Sequence, residues 1–290
     1  MRMYDVVALG ELLIDFVHQG NNDVGYPLMQ GNPGGAPGNF LSTLSKFGAK
    51  TGFLGKVGSD RFGRMLVKTF RDAGVETKGI LVDDRYFTTL AFVTLDDSGD
   101  REFSFARKPG ADTMLTIDEL PKDLVTETKV FHFGTLSMTD ELVDRATKEA
   151  LTIAKDNGVT ISFDPNYRPP LWNSEDEARE KMIFGMQNTD IMKISDNEIV
   201  FLTGEEDLDK GVRLLIDRYE IPLVFATLGP DGSRAYYKGE RVDCPGFKNP
   251  NTIETTGAGD TFCACGLHFV LKYGLKELNI FRLRELLTFA

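Results

Sequence analysis

Short apolar runs rich in Val, Ile and Phe alternate along this chain with longer stretches whose apolar residues recur at helical spacing. DVVALG (5–10), TGFLGKVG (51–58), KVFHFG (129–134), VTISFDP (159–165), DIMKIS (190–195) and PLVFATLG (222–229) predict short buried strands. Residues 38–48, 60–73, 139–157, 174–187, 197–203 and 208–219 predict helices between them. Strands that alternate with helices in this way build a mostly parallel sheet covered on both faces. Ligands in such sheets gather outside the carboxyl ends of the strands. Gly10, Asp164, Ser195 and Gly229 each fall at the end of a predicted strand.

One region changes period. TTLAFVTLDDSGDREFSFAR (88–107) alternates every second residue around DDSGD, a hairpin signature. LLIDFVHQG (12–20) and PLMQGNPGG (27–35) read as further extended pieces. Together they predict a small antiparallel sheet, built from about 12–35 and 88–107, that covers the strand ends as a lid. Asp96, Asp97 and Asp100 lack the loop length of a calcium site and are expected at a solvated hairpin tip. No repeat or linker divides residues 1–290, so one domain is expected.

ETTGAGDTF (254–262) supplies candidate chemistry. The following TFCACGLHFVLKYG reads as a helix, which places Gly257, Ala258 and Gly259 at its N-terminus. Backbone N–H groups lack intrahelical partners there, the dipole is positive, and glycines let an anion approach closely. Asp260 is open to two readings at this point: a carboxylate that favours the helix dipole, or a base beside a bound phosphoryl group.

Composition narrows the classes. The 290 residues are 41% hydrophobic and 27% charged, as in an ordinary folded domain, with a formal charge of −11. That charge argues against nucleic acid or an anionic membrane as partner, though not against an anionic substrate in a local basic pocket. Cys244, Cys263 and Cys265 make no disulfide framework and suit a reducing, cytoplasmic compartment. Cys263 and Cys265 lie two apart on a predicted helix and are expected to serve helix packing, and the three histidines lack zinc-ligand spacing. MRMYDVVALG turns straight into a strand without a signal peptide, and no apolar run reaches the ~18 residues a membrane span needs. P-loop, G-x-G-x-x-G and protein-kinase signatures are all missing from the sequence.

GNPGGAPGNF, SFDPNYRPPLW and ETTGAGDTF, in this order and with LGPDGS and ISDNEIVFLTG among them, resemble the PfkB (ribokinase-like) carbohydrate kinases over essentially the whole chain. The resemblance implies a Rossmann-like three-layer α/β/α sandwich with a β lid, and transfer of the γ-phosphoryl of ATP to a sugar hydroxyl. It makes Asp260 the catalytic base and the amides of Gly257, Ala258 and Gly259 the anion hole. Asp15 and Asn39 match sugar ligands, and Gly34 and Gly35 match a hinge that turns as the lid closes. Glu198 matches a glutamate that organises magnesium through water; its usual partner asparagine is replaced by Ser195, and Asn197 is out of register. Lys193 is near enough to reach ATP phosphates, and Thr227, Gly229 and Gly232 match a loop bordering ATP. Glu254 stands where aspartate is frequent in a segment that lines a monovalent-cation site, which leaves potassium dependence open.

FDPNYRPPLW and FARKPGAD resemble the fructokinases of the family, in which Arg168 and Arg107 match arginines facing the active site. Kinases of 2-keto-3-deoxygluconate use a similar lid arginine for a carboxylate, so that acid is the alternative acceptor. Ser104 and Phe105 replace the tyrosines usual before Arg107, and Phe105 is open to packing over the sugar. No purine clamp for a nucleoside kinase is identifiable, and a non-catalytic sugar sensor would be expected to lack Asp260. A homodimer through the lid is compatible with its apolar strands. FRLRELLTFA ends inside a helical pattern, so a wall of the adenine pocket is expected to lie past Ala290 and sugar to bind better than nucleotide.

Overall fold

A computed structural model describes residues 2–95, 101–247 and 257–290; Asp96, Asp97 and Asp100, and Glu254 with its two threonines, lie outside the described residues. The larger sheet holds β1 (Tyr4–Leu9), β4 (Thr51–Gly58), β5 (Val75–Glu76), β6 (Ile80–Asp83), β9 (Thr128–Gly134), β10 (Thr160–Asp164), β11 (Ile191–Ser195), β12 (Leu223–Thr227), β13 (Ser233–Tyr237) and β14 (Glu240–Cys244). Their order is β14-β13-β12-β11-β10-β9-β1-β4-β5, with β6 also on β4. The pairs from β12 to β5 are parallel, and β13 and β14 add an antiparallel edge. The chain runs from β1 to β4 on one side and returns to β9 on the other. Strand order therefore reverses between β1 and β9, where a crevice opens at the carboxyl ends.

Helices α1 (Ala36–Lys46), α2 (Arg61–Asp72), α3 (Lys122–Thr126), α4 (Glu141–Asp156), α5 (Glu175–Met186), α6 (Asp196–Thr203), α7 (Leu208–Tyr219), α8 (Ala258–Tyr273) and α9 (Ile280–Phe289) cover the sheet. The strands are apolar on both faces and feed two cores. Val6, Ala8, Leu223 and Phe225 meet α1, α2, α8 and α9 through Phe40, Leu66, Leu267 and Leu286. Val7, Leu9, Val224 and Ala226 meet α3 to α7 through Leu124, Ala150, Met186, Ile199 and Leu215. Period-two alternation thus yields three layers. Each fully buried Leu, Val or Phe contributes about 1.5–3 kcal/mol relative to exposure.

The second sheet has the order β3-β2-β7-β8, from β2 (Leu13–Asn21), β3 (Pro27–Gly34), β7 (Thr89–Leu95) and β8 (Arg101–Ala106). The lid is therefore present, but it is not purely antiparallel as expected. Each hairpin is antiparallel, whereas β2 and β7 pair in parallel with Phe16 opposite Phe92. Both strands leave the main domain in the same direction, so their side-by-side pairing has to be parallel. Phe16 stacks on Phe92 at 5.4 Å and meets Phe62 of α2 edge-on at 5.7 Å, anchoring one face of the lid. Leu13 and Asp15, on the other parity, turn towards the crevice.

Candidate active site

A cavity of about 670 Å3 opens at the carboxyl ends of the sheet, between the lid and the start of α8. Gly257 caps α8 in the left-handed region (φ 75°), and Thr261 N–H donates to its carbonyl at 2.9 Å to begin the helix. The N–H groups of the first turn therefore face the cavity, whose lining includes Gly257, Ala258, Gly259 and Asp260. Asn39, from α1 packed beside α8, donates from Nδ2 to Asp260 Oδ2 at 3.0 Å. Burial pushes the Asp260 carboxyl up from its ordinary value, while Asn39, Lys193 and Arg168 draw it back. A carboxylate raised in this way is a stronger base than one in water.

Beneath this turn lies a buried charge cluster. Lys193, near the end of β11, has Nζ 3.2 Å from both oxygens of Asp164, the last residue of β10. A Cβ built on Gly259 would stand 3.2 Å from the same Nζ, so the glycine brings the helix start down onto the ammonium. Burial opposes the Lys193 charge, but Asp164, Glu198 and Asp260 outweigh it and push its pKa up. Burial also raises Asp164. Glu198 Oε1 and Oε2 accept the N–H groups of Tyr167 and Ser195, both at 2.8 Å. The second of these bonds closes a capping box at the start of α6.

The lid side is built from Asp15, Phe103 and Phe105. Phe103 and Phe105 lie two apart on β8 and both line the cavity, with rings 6.3 Å apart and nearly parallel. Arg168 also lines it, with its guanidinium 6.0 Å from the Phe103 ring. Gly35 sits at φ 109°, where an added Cβ would be 2.4 Å from the Glu11 carbonyl oxygen; at Gly34 it would be 2.0 Å from Asp15 Oδ2. The di-glycine thus permits both the tight turn into α1 and the seat of Asp15. Opposite the lid, Thr227, Gly229 and Gly232 line the cavity together with Cys244 and Phe247. Gly232, at φ 102°, touches the Cys244 carbonyl too closely to carry a side chain.

Residues 3–277 match the family model described as pfkB family carbohydrate kinase. The chain is 41% identical over 292 residues to "Probable fructokinase-6, chloroplastic" of Arabidopsis thaliana, covering 98% of this chain and 75% of that protein. Against "Fructokinase-2" of Oryza sativa subsp. japonica the figures are 41% over 290 residues, 98% and 85%. Among solved structures, fructokinase from Xylella fastidiosa with bound ATP superposes with a TM-score of 0.84 at 29% identity, over 92% of this chain and 81% of that one. The chain belongs to the pfkB family of carbohydrate kinases. It is a phosphotransferase with an alcohol group as acceptor.

Of the residues expected at this kinase site, Asp15, Gly35, Asn39, Arg168, Lys193, Ser195, Glu198, Thr227, Gly229 and Gly232 line one cavity with residues 257–260. Gly34 lies just behind it under Asp15. Arg107 is a correction. It was expected to face substrate, but it is 5% exposed and absent from the lining. Its Nε donates to Asp112 Oδ2 at 2.7 Å, Nη1 to Thr139 Oγ1 at 2.7 Å and Nη2 to the Leu136 carbonyl at 2.8 Å. Asp112 and the Leu136 carbonyl, just beyond β9, supply acceptors inside the protein, and a buried guanidinium turns to where acceptors are. Gly10 packs on Pro37 rather than on the cavity, and Asn197 is exposed and outside it.

Glu11 and Asn166 are lining residues that sequence reasoning did not single out. Asn166 has φ 46°, and its N–H donates to Asp164 Oδ1 at 3.1 Å. A signal for it was the Asn two residues after a strand-end aspartate, the pattern of an Asx turn. Glu11 is 3% exposed, and its Oε1 accepts the Ala36 N–H at 2.9 Å. The signal there was a lone glutamate between two apolar runs in ALGELLID. Among the described residues, no group of three or more His, Cys, Asp or Glu side chains forms a metal cluster, and no helix is long and apolar enough to cross a membrane.

Proposed function

We propose that this kinase transfers the γ-phosphoryl of ATP to the 6-hydroxyl of D-fructose, giving fructose 6-phosphate and ADP. The observation that carries the reading is Asp260 held by Asn39 beside the open first turn of α8, within one cavity that also reaches Asp15 on the lid and Thr227 and Gly229 at the opposite end. Sugar lies against Asp15, Asn39 and the Phe103–Phe105 face, and the nucleotide against residues 227–232. Asp260 takes the proton of the attacking hydroxyl. The N–H groups at 257–259 and the Lys193 ammonium stabilise charge on the transferring phosphoryl. Arg168, on the cavity wall, faces the same oxygens. Closure of the lid about Gly34 and Gly35 excludes water, which would otherwise compete as acceptor.

Glu198 fits a magnesium ion held through water. Its two oxygens are each fixed by one backbone N–H and keep a further lone pair, and the side chain lines the cavity. Magnesium bound there supplies charge neutralisation on the ATP phosphates.

Fructose is favoured over 2-keto-3-deoxygluconate because Arg107, the expected carboxylate anchor on the lid, spends its donors inside the protein. An acceptor carboxylate under the Phe103–Phe105 face would be poorly paired. The free cysteines are consistent with the cytoplasm, and exposed Val24, Tyr26 and Leu28 on the lid with a homodimer. The test is ADP release with ATP and magnesium over a panel of acceptors. Fructose should give a higher kcat/KM than glucose, ribose, adenosine or 2-keto-3-deoxygluconate; a preference for the keto-deoxy acid overturns the assignment.

A further inference from the structure

The chain crosses between main domain and lid four times: out after β1, back into α1, out into β7 and back from β8. Buried polar groups tie these crossings together. On the first hairpin, Glu11 just before β2 accepts the Ala36 N–H just after β3, clamping the outgoing and returning chain at the di-glycine. On the second, Thr89 Oγ1 at the start of β7 donates to Asp112 Oδ1, and Arg107 just past β8 donates to Asp112 Oδ2. Gly110 lies against this contact so closely that a Cβ would be 1.9 Å from Thr89 Oγ1.

Arg107 also reaches the main domain, through the Leu136 carbonyl and Thr139 Oγ1 beyond β9. Its charge and that of Asp112 are felt at Glu11 in opposite directions, the arginine lowering and the aspartate raising its pKa. Glu11 and Leu136 line the sugar end of the cavity on one side, while the guanidinium sits behind it. Arg107 and Asp112 are 5% and 3% exposed, and each of the three guanidinium nitrogens donates to a protein acceptor.

We propose that Arg107 is a positioning residue: with Asp112 it locks the two crossings of the β7–β8 hairpin to the end of the main sheet and so sets where Phe103 and Phe105 meet the acceptor. Lysine replaces it only in part, because an ammonium keeps the charge but lacks the planar fork that serves Asp112, Thr139 and the Leu136 carbonyl at once. Loss of the fork frees the lid and loosens the acceptor end, while the nucleotide end at 227–232 belongs to strands the cluster does not touch. This rests on the acceptor lying under the lid.

The experiment compares wild type with Arg107→Met and Arg107→Lys in steady-state phosphorylation of fructose, with sugar-independent ATP hydrolysis and thermal melting measured in parallel. Expected for Arg107→Met are a sugar KM raised about 10-fold or more, an ATP KM within about twofold, and a several-fold higher ratio of hydrolysis to transfer. Arg107→Lys should show the same split, about half as large on a logarithmic scale. If Arg107→Met does not fold, the lysine variant decides alone. A lower melting temperature with both KM values unchanged would make the cluster merely structural and overturn the proposal. A defect confined to acidic acceptors would instead make Arg107 a direct anchor and overturn it too. Wild type that phosphorylates no sugar would fail the functional reading rather than this one.

Discussion

Lys193 and Arg107 are both buried cations held by aspartate, one under the first turn of α8 and one just past β8, and they differ in where their donors go. Lys193 has Asp164 at 3.2 Å and lines the cavity beneath Gly259. Arg107 has Asp112, Thr139 and Leu136 as partners and does not reach the cavity. On the proposed reading the same ingredients, a cation and a carboxylate out of water, serve the reaction in one place and fasten the lid in the other. Burial cannot separate the two, since Lys193 is 6% and Arg107 5% exposed. What separates them is where the nitrogens sit: all three guanidinium nitrogens of Arg107 donate to protein oxygens away from the cavity, whereas the Lys193 ammonium, paired with Asp164, also lines the cavity.

The largest effect should come from Asp260, the proposed base. Asp260→Ala is expected to lower kcat by at least ~100-fold, the lower range for a lost general base, with fructose binding changed only several-fold. Calorimetry and steady-state rates on the folded variant check this; turnover near that of wild type would place the base elsewhere. Lys193→Met should come next, at about 10–100-fold in kcat with a small change in sugar KM, as expected for charge felt in the transition state. Because that substitution leaves Asp164 buried without its partner, Lys193→Met/Asp164→Asn serves as the fold control. A variant that raised sugar KM and spared kcat would erase the contrast with Arg107.

Asn39→Ala sharpens the account of the cradle through pH. In the proposed mechanism Asp260 must be ionised to accept the hydroxyl proton, so activity is expected to fall as pH drops through its pKa. Asn39 donates to the ionised carboxylate and lowers that pKa against the rise caused by burial. Without the donor the pKa climbs, and the acid limb of the kcat/KM profile should move towards neutral pH. An unmoved limb would mean that Asn39 acts on the sugar alone.

Most of the scaffold was legible because its signals are local. The strands ending at Gly10, Asp164, Ser195 and Gly229, and the helices between them, fall within a few residues of their expected limits. β13 and β14 were missed although their turn, Lys238 at φ 51° and Gly239 at φ 79°, has the backbone of a tight hairpin; Lys-Gly is a weaker cue than Asn-Gly. β5 and β6, of two and four residues, are too short to show a period. The parallel join of β2 to β7 was not legible, because it pairs segments separated by the whole of α1, β4 and α2. In the site, GAGD carried its own geometry, since a helix start fixes where its amides point. Arg107 did not: its direction depends on Leu136 and Thr139, some thirty residues on, and only Asp112 in RKPGAD hinted at it.

The smallest expected effect is a stability difference at the hinge. Burial pushes Glu11 up to about 7, from an ordinary 4.5, against the opposing Ala36 N–H and the Arg107 charge. Below pH 4.5 the carboxyl is protonated folded or unfolded, and contributes no difference. Between 4.5 and 7 the folded chain keeps a proton that the unfolded chain releases, so this group's contribution falls as pH rises. Above 7 the full cost of ionising it beside Asp112 is felt. Glutamine carries no charge at any pH and still offers an oxygen to the Ala36 N–H. Glu11→Gln should therefore leave the melting temperature near that of wild type at pH 4.5 and raise it by a few degrees at pH 8, given at most ~3 kcal/mol from ~1.4 kcal/mol per pH unit. Melting curves of both proteins across pH 4.5–8 give the answer. A variant less stable at pH 8 than wild type would show instead that Glu11 is held ionised by Arg107, and that the lid hinge, like the floor beneath the cradle, rests on a paired charge.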